Sequence, residues 1–218
     1  MIKREMYMKR IRPFIGNELI KVMTGIRRAG KSVMLELIQE ELIDSGINAD
    51  NFICINFEDL RNVHLLNAIA LHEEILKRAE QTTGKVYLFF DEIQEVEDWE
   101  KCINSFRVSL DCDIYITGSN AKLLSGELAT YLGGRYVEFV IYPFSFLEFL
   151  ELYHIVNSTA SVQQCFQKYL LVGGMPYLSN IRYEEEPSKQ YLSDLFNSVQ
   201  LKDIVKRNKK SDRSHVVL

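Results

Sequence analysis

The run Leu19-Ile20-Lys21-Val22-Met23-Thr24 passes directly into Gly25-Ile26-Arg27-Arg28-Ala29-Gly30-Lys31-Ser32. From Ser32 to Ser45, Val33, Leu35, Leu37, Ile38 and Leu42 can share one apolar stripe of a helix. No other feature restricts the chain as strongly as this strand, loop and helix. In the pattern Gly-x-x-x-x-Gly-Lys-Ser, Gly25 and Gly30 allow backbone angles that turn successive N–H groups inward. The helix that follows aims its positive end at the same point. Such a cradle suits phosphate oxygens, with Lys31 reaching the outer phosphates and the Ser32 hydroxyl ligating Mg²⁺. The spacing arises by chance in on the order of one chain in a hundred of this length. In its strand–loop–helix context the chance turn is the poorer reading. Arg28, Ala29 and Val33 join Gly25, Gly30, Lys31 and Ser32 as candidates to line the phosphate site, although Arg27 and Arg28, at x positions, as readily face solvent.

Four further apolar runs follow, ending at Phe57, Phe90, Thr117 and Ile141. Near-continuous apolar strands separated by helical patterns indicate an α/β domain with a parallel sheet covered on both faces. Ligands of such sheets bind at the carboxyl ends of the strands, where this chain places glycine or acidic groups. The 218 residues are 47% hydrophobic and 26% charged, with a net charge of −4, which excludes a disordered chain and a bulk nucleic-acid binder. No stretch reaches the roughly 18 apolar residues of a membrane span. Four cysteines without Cys-x-x-Cys pairing read as reduced thiols, and the expected location is cytoplasmic. The histidines have no metal-ligand spacing, and no Gly-x-Gly-x-x-Gly fingerprint is present. The basic ends, Met1 to Arg12 and Gln200 to Leu218, read as solvated helix ends rather than as nucleic-acid contacts.

Val86-Tyr87-Leu88-Phe89-Phe90-Asp91-Glu92 is an apolar strand ending in two carboxylates, with Asp91 sixty residues beyond Lys31. Beside a phosphate loop, Asp91 would hold Mg²⁺ through water, and Glu92 would accept a proton from the water attacking the γ-phosphate. The second carboxylate favours hydrolysis over phosphate transfer to a bound acceptor. Thr117-Gly118-Ser119-Asn120 closes the fourth strand. Asn120, whose amide both donates and accepts, is the candidate to orient the attacking water, with Ser119 as substitute; an ordinary turn is the alternative. Arg135, after Gly133-Gly134, is a candidate to stabilise transition-state charge, from its own subunit or a neighbour's. A plain surface arginine is the competing reading.

Taken in order, Gly25–Ser32, Val86–Glu92, Thr117–Leu124, Gly134-Arg135, Tyr142–Phe149 and Gly173-Gly174-Met175-Pro176 resemble the archaeal and bacterial AAA+-like ATPases with a Gly-x-Arg-Arg-x-Gly-Lys-Ser loop. The resemblance implies a P-loop fold with a five-stranded parallel sheet in order 5-1-4-3-2 between helices, and a small C-terminal helical lid. That order sets the fourth strand between those bearing the loop and Asp91-Glu92, which supports Asn120 or Ser119 as a γ-phosphate sensor. It also implies that Pro176 packs near adenine, where the residues alone equally allow a helix-breaking turn. The expected domains are an ATP-binding core over 1–156 and a helical lid with the start of a truncated C-terminal region over 157–218. Proteins of this branch usually continue into a C-terminal domain of unknown function, preceded by a stretch like Leu201–Arg207, so either a truncated chain or a naturally shortened member is expected.

The leading expectation is an ATP-binding, ATP-hydrolysing protein that uses Mg²⁺ and couples its nucleotide state to a conformational change. The rivals are a nucleotide-gated switch with little hydrolysis, a DNA-associated ATPase and a small-molecule P-loop kinase. The expected partners are ATP and a protein or nucleic acid of unknown identity, with no membrane and with a possible homo-oligomer.

Overall fold

The computed structural model describes residues 2–118 and 132–211, the stretch 200–211 as backbone alone. It divides into two compact units, Met1–Tyr142 and Pro143–Leu218.

The first unit holds five parallel strands: β1 Ile20–Thr24, β2 Phe52–Asn56, β3 Val86–Asp91, β4 Cys112–Thr117 and β5 Tyr136–Val140. Their order is β2-β3-β4-β1-β5, the order that the resemblance implies. Helices α1 Glu5–Ile11, α2 Lys31–Asp44, α3 Ala68–Ala79 and α4 Trp99–Ser109 belong to the same unit. Alternation along the strands divides the core in two. Ile20, Val22, Leu88, Phe90, Ile114 and Ile116 point to the face packed by Leu71 and Ile75 of α3 and Ile103 and Phe106 of α4. Met23, Phe89 and Tyr115 point to the other face, against Met8 and Ile11 of α1 and Met34, Leu35 and Ile38 of α2. The continuous apolar runs of β1, β3 and β4 are therefore buried on both sides. Among the described residues, no helix is long and apolar enough to cross a membrane. All four cysteines are free thiols.

At the amino ends of β1 and β4 lies an ionic network. The Lys21 ammonium pairs with the Asp113 carboxylate, both side chains being wholly buried. Lys21 also donates to the Asn17 carbonyl at 3.0 Å, while Asp113 accepts from the Tyr115 hydroxyl at 2.8 Å and from the Gly16 N–H at 2.7 Å. Burial pulls the Lys21 ammonium below its usual range, and the Asp113 charge opposes that shift. Such a pair holds only because every polar atom around it has a partner.

The N-terminal basic run is partly absorbed into this unit rather than solvated. Lys9 and Arg10 are exposed, but Arg4 is buried and its guanidinium donates to the carbonyls of Ala29 at 2.9 Å and Tyr142 at 2.8 Å.

In the second unit, α5 Phe146–Val156, α6 Val162–Val172 and α7 Glu185–Ser211 are helical, and its described residues contain no strand. Ser145 and Ser161 each form a capping box, with Glu148 and Gln164, which sets where α5 and α6 begin. Phe149 packs with Val172, Met175, Leu178 and Tyr183. The polar stretch 157–161 suggested a boundary after residue 156. The division instead precedes α5, because the Phe149 ring belongs to this helical core.

Asp113→Ala leaves a buried ammonium without its carboxylate and the buried Tyr115 hydroxyl without its acceptor. Unfolding in urea should show a loss of about 3–5 kcal/mol of stability.

Candidate functional site

The strand register aligns polar side chains at the carboxyl edge of the sheet. Asn56 lies opposite Asp91, and Phe90 opposite Ile116, so that Asp91 and Thr117 follow as neighbours. The Thr117 hydroxyl donates to Asp91 Oδ1 and accepts the Glu92 N–H at 2.9 Å. Asn56 Nδ2 donates to Asp91 Oδ2 at 2.9 Å. Asp91 is thus held at both oxygens and is 7% exposed. Glu92 turns sharply into the left-handed region, φ 56° and ψ 47°, and the short helix Ile93–Glu95 follows. A non-glycine residue in this region stores roughly 1–3 kcal/mol, a cost that structures usually retain at functional sites. The turn brings Gln94 back onto Glu92, its amide donating to Glu92 Oε2. The Gln94 carbonyl oxygen is buried with no hydrogen-bond partner, a further cost of about 1–3 kcal/mol.

The Gly25–Ser32 loop rests on one close approach and one left-handed cap. Gly25 has φ +136°, and a Cβ there would lie 2.1 Å from the Ile141 carbonyl oxygen. No side chain fits, because the obstruction is backbone. At the other end, Gly30 caps α2 with φ 97°. Lys31, the first residue of α2, is 5% exposed. Among the described residues its ammonium has long contacts: 3.3 Å to the carbonyl oxygens of Gly25 and Ile26, and 3.9 Å to Glu92 Oε1. Burial lowers its pKa, with the Glu92 and Asp91 charges opposing.

The sequence candidates therefore separate. Gly25, Ala29, Gly30, Lys31, Asp91 and Glu92 converge at the carboxyl edge. Ser32 is exposed beside Lys31, and Val33 packs partly into the core. Arg28 is exposed with φ 64°, while its neighbour Arg27 faces Glu58 at 3.6 Å. Arg135 does not join them. It immediately precedes β5, its carbonyl accepts from the Ile20 N–H, and its guanidinium donates to Asn104 at 2.9 Å. Five strand residues separate it from the loop edge, about 16 Å at ~3.3 Å per residue. Asn120 and its substitute Ser119 lie outside the described residues. Pro176 begins the short helix Pro176–Ser179 of the second unit. In that unit a Cβ on Gly174 would lie 2.1 Å from the Phe144 carbonyl oxygen, and the Phe144 N–H donates to the Gly174 carbonyl at 2.7 Å. Gly174 thus packs backbone against backbone.

Sequence reasoning passed over Thr117, Asn56, Gln94 and Arg4. Thr117 and Asn56 each end a strand in a polar side chain, a signal legible once the strands are aligned. The fit to Mg²⁺ and a polyphosphate rests on the donor set. A buried ammonium with only long oxygen contacts suits an anion. A carboxylate fixed at the carboxyl edge of the sheet suits a hard divalent cation.

The pattern of the AAA domain family matches residues 17–150. An uncharacterised protein of Haemophilus influenzae is 41% identical over 208 residues, covering 95% of this chain and 51% of that protein. One of Methanocaldococcus jannaschii is 36% identical over 199 residues, covering 87% and 42%. The chain thus spans about half the length of these curated relatives. Among solved structures it is similar to AMPPCP-bound DnaA from Aquifex aeolicus, with a TM-score of 0.52, 14% identity and coverage of 95% of this chain and 66% of that one. It is also similar to the Aeropyrum pernix ORC1 protein in complex with DNA, with a TM-score of 0.50, 12% identity and coverage of 90% and 65%. At these identities the likeness shows the fold.

Thr117→Val removes the hydroxyl that joins Asp91 to the Glu92 N–H. The free energy of unfolding in urea should fall by about 1–3 kcal/mol. Thr117→Ser, which keeps the hydroxyl, should recover most of it.

Proposed function

The chain belongs to the AAA domain family, and we propose that it binds Mg·ATP at the Gly25–Ser32 loop and hydrolyses it. The observation that carries this reading is the buried Lys31 ammonium, short of close partners and 3.9 Å from Glu92 Oε1. Lys31 and the loop N–H groups bind the phosphates, and Arg28, Ala29 and Val33 flank them. Ser32 and Asp91 hold Mg²⁺, which when bound neutralises charge on the phosphate oxygens. Glu92 accepts a proton from water as the water oxygen bonds to the γ-phosphorus and the bond to the β-phosphate oxygen breaks, releasing ADP and phosphate. Asn120 is proposed to sense the γ-phosphate, and Pro176 to pack near adenine with the second unit's helices as a lid. Arg135, at the far edge of its own sheet, is proposed to serve the site of a neighbouring copy.

The coupling of nucleotide state to shape is supported within the first unit. Gly25 abuts Ile141, and Arg4 joins Ala29 of the loop to Tyr142, whose N–H also donates to the Tyr7 hydroxyl at 3.0 Å. A displacement of the loop therefore reaches the residue from which the chain leaves this unit. The DNA-bound ORC1 structure favours a second reading, an ATPase stimulated by nucleic acid, to be checked by adding duplex DNA to the hydrolysis assay.

Glu92→Gln should retain ATP binding and lose about 10²–10⁴-fold in steady-state turnover, whereas Lys31→Ala should lose binding itself. Binding without turnover in the parent would replace the hydrolase with a nucleotide-gated switch. Specific activity should rise with protein concentration and stop doing so in Arg135→Ala; a flat dependence in the parent would remove Arg135 from the reaction.

A further inference from the structure

We propose that Gln94 is a positioning residue for ATP hydrolysis, setting the Glu92 carboxylate so that one oxygen faces the phosphate loop. The inference rests on the reading of Glu92 as the base that takes a proton from water. A base of this kind must be fixed in direction as well as place, because the side-chain torsions of a glutamate are otherwise free.

The backbone of Glu92 is already fixed. Its N–H is bonded to the Thr117 hydroxyl at 2.9 Å, and its carbonyl accepts from the Glu95 N–H at 3.1 Å. The carboxylate is a separate matter. Lys31 Nζ, at 3.9 Å from Oε1, is too far to orient it by a hydrogen bond. Among the described residues the hydrogen bond that does so comes from the Gln94 amide, to Oε2. With Oε2 held, Oε1 is the oxygen turned toward Lys31, which is where the proposed phosphates lie.

The amide can face Glu92 in one sense only. Turned over, the Gln94 carbonyl would oppose the carboxylate, acceptor against acceptor. The working orientation leaves that carbonyl oxygen buried without a donor. The left-handed turn at Glu92 folds position 94 back to make the grip.

The test measures kcat and KM for Mg·ATP hydrolysis in the parent, Gln94→Met, Glu92→Gln and the double variant. Binding of a non-hydrolysable ATP analogue and the thermal midpoint are measured beside them. Methionine keeps the volume and removes the amide, so a packing role predicts unchanged kcat. A positioning role predicts a fall in kcat of about 10–100-fold, with analogue affinity within about twofold and no further loss when Gln94→Met is added to Glu92→Gln. Gln94→Glu, which keeps the polar shape but removes the donor, should lose kcat likewise and replaces Gln94→Met if that variant unfolds. Unchanged or raised kcat in a folded Gln94 variant, with Glu92→Gln inactive, overturns this inference and leaves the hydrolase standing. An additional loss in the double variant overturns it as well. Absence of turnover in a parent that binds the analogue overturns both.

Discussion

Two buried lysines, at opposite ends of one sheet, show what the rest of the first unit is arranged around. Lys21 at the amino edge is closed off by the Asp113 carboxylate and the Asn17 carbonyl. Lys31 at the carboxyl edge has carbonyl contacts at 3.3 Å and a carboxylate at 3.9 Å. Burial lowers the pKa of both. Their contacts differ in closeness. Ion pairs in low dielectric stabilise when geometry and hydrogen bonding are complete, and the amino edge meets that condition. Among the described residues Lys31 has no contact as close as the Lys21–Asp113 pair, a deficit that an incoming anion would relieve.

The strand register decides which groups face that deficit. Parallel pairing sets Asn56 across from Asp91 and brings Thr117 alongside, so that three strands contribute to fixing one carboxylate. The Thr117 hydroxyl serves both members of the acidic pair at once, and the seam between β3 and β4 therefore carries structure and site together. Some departures from relaxed geometry fall in the same place, while others, at Asp98, Arg182 and Tyr183, do not. Arg28 and Glu92 are left-handed without being glycine, and the Gln94 carbonyl is unpartnered. The two-faced core under the sheet is extensive enough to hold them.

What the sequence reveals of this site depends on whether the interaction is local along the chain. The loop, its strand and its helix are contiguous, and the acidic pair ends a strand, so both are legible from residue types and spacing. Thr117 and Asn56 act through register, which no single stretch displays, and Gln94 acts through a backbone turn at Glu92 that its residue type does not announce. Arg4 looks like part of a solvated basic run, yet the α1 start buries it against the loop. Arg135 precedes β5, so its place in the sheet was legible from the strand pattern. A residue that precedes a parallel strand stands at the amino edge, and the ligand edge is the other one. The domain limit expected after residue 156 followed polarity, while Phe149 packs with residues of the second unit.

The glycines argue for the same division between local signal and tertiary cause. Gly25 belongs to the phosphate-loop pattern, and its positive φ suits that role. The tighter constraint is that the Ile141 carbonyl occupies the space of a side chain. Gly174, outside that pattern, is under the same constraint from Phe144 in its own unit. In each case a loop glycine admits backbone that is distant in sequence. In the first unit that backbone is the end of the strand leading to Tyr142, which Arg4 and Tyr7 also hold. The geometry that shapes the loop for phosphate thus also joins it to the chain's exit from the unit, so the loop cannot be displaced without disturbing the contacts that fix that exit.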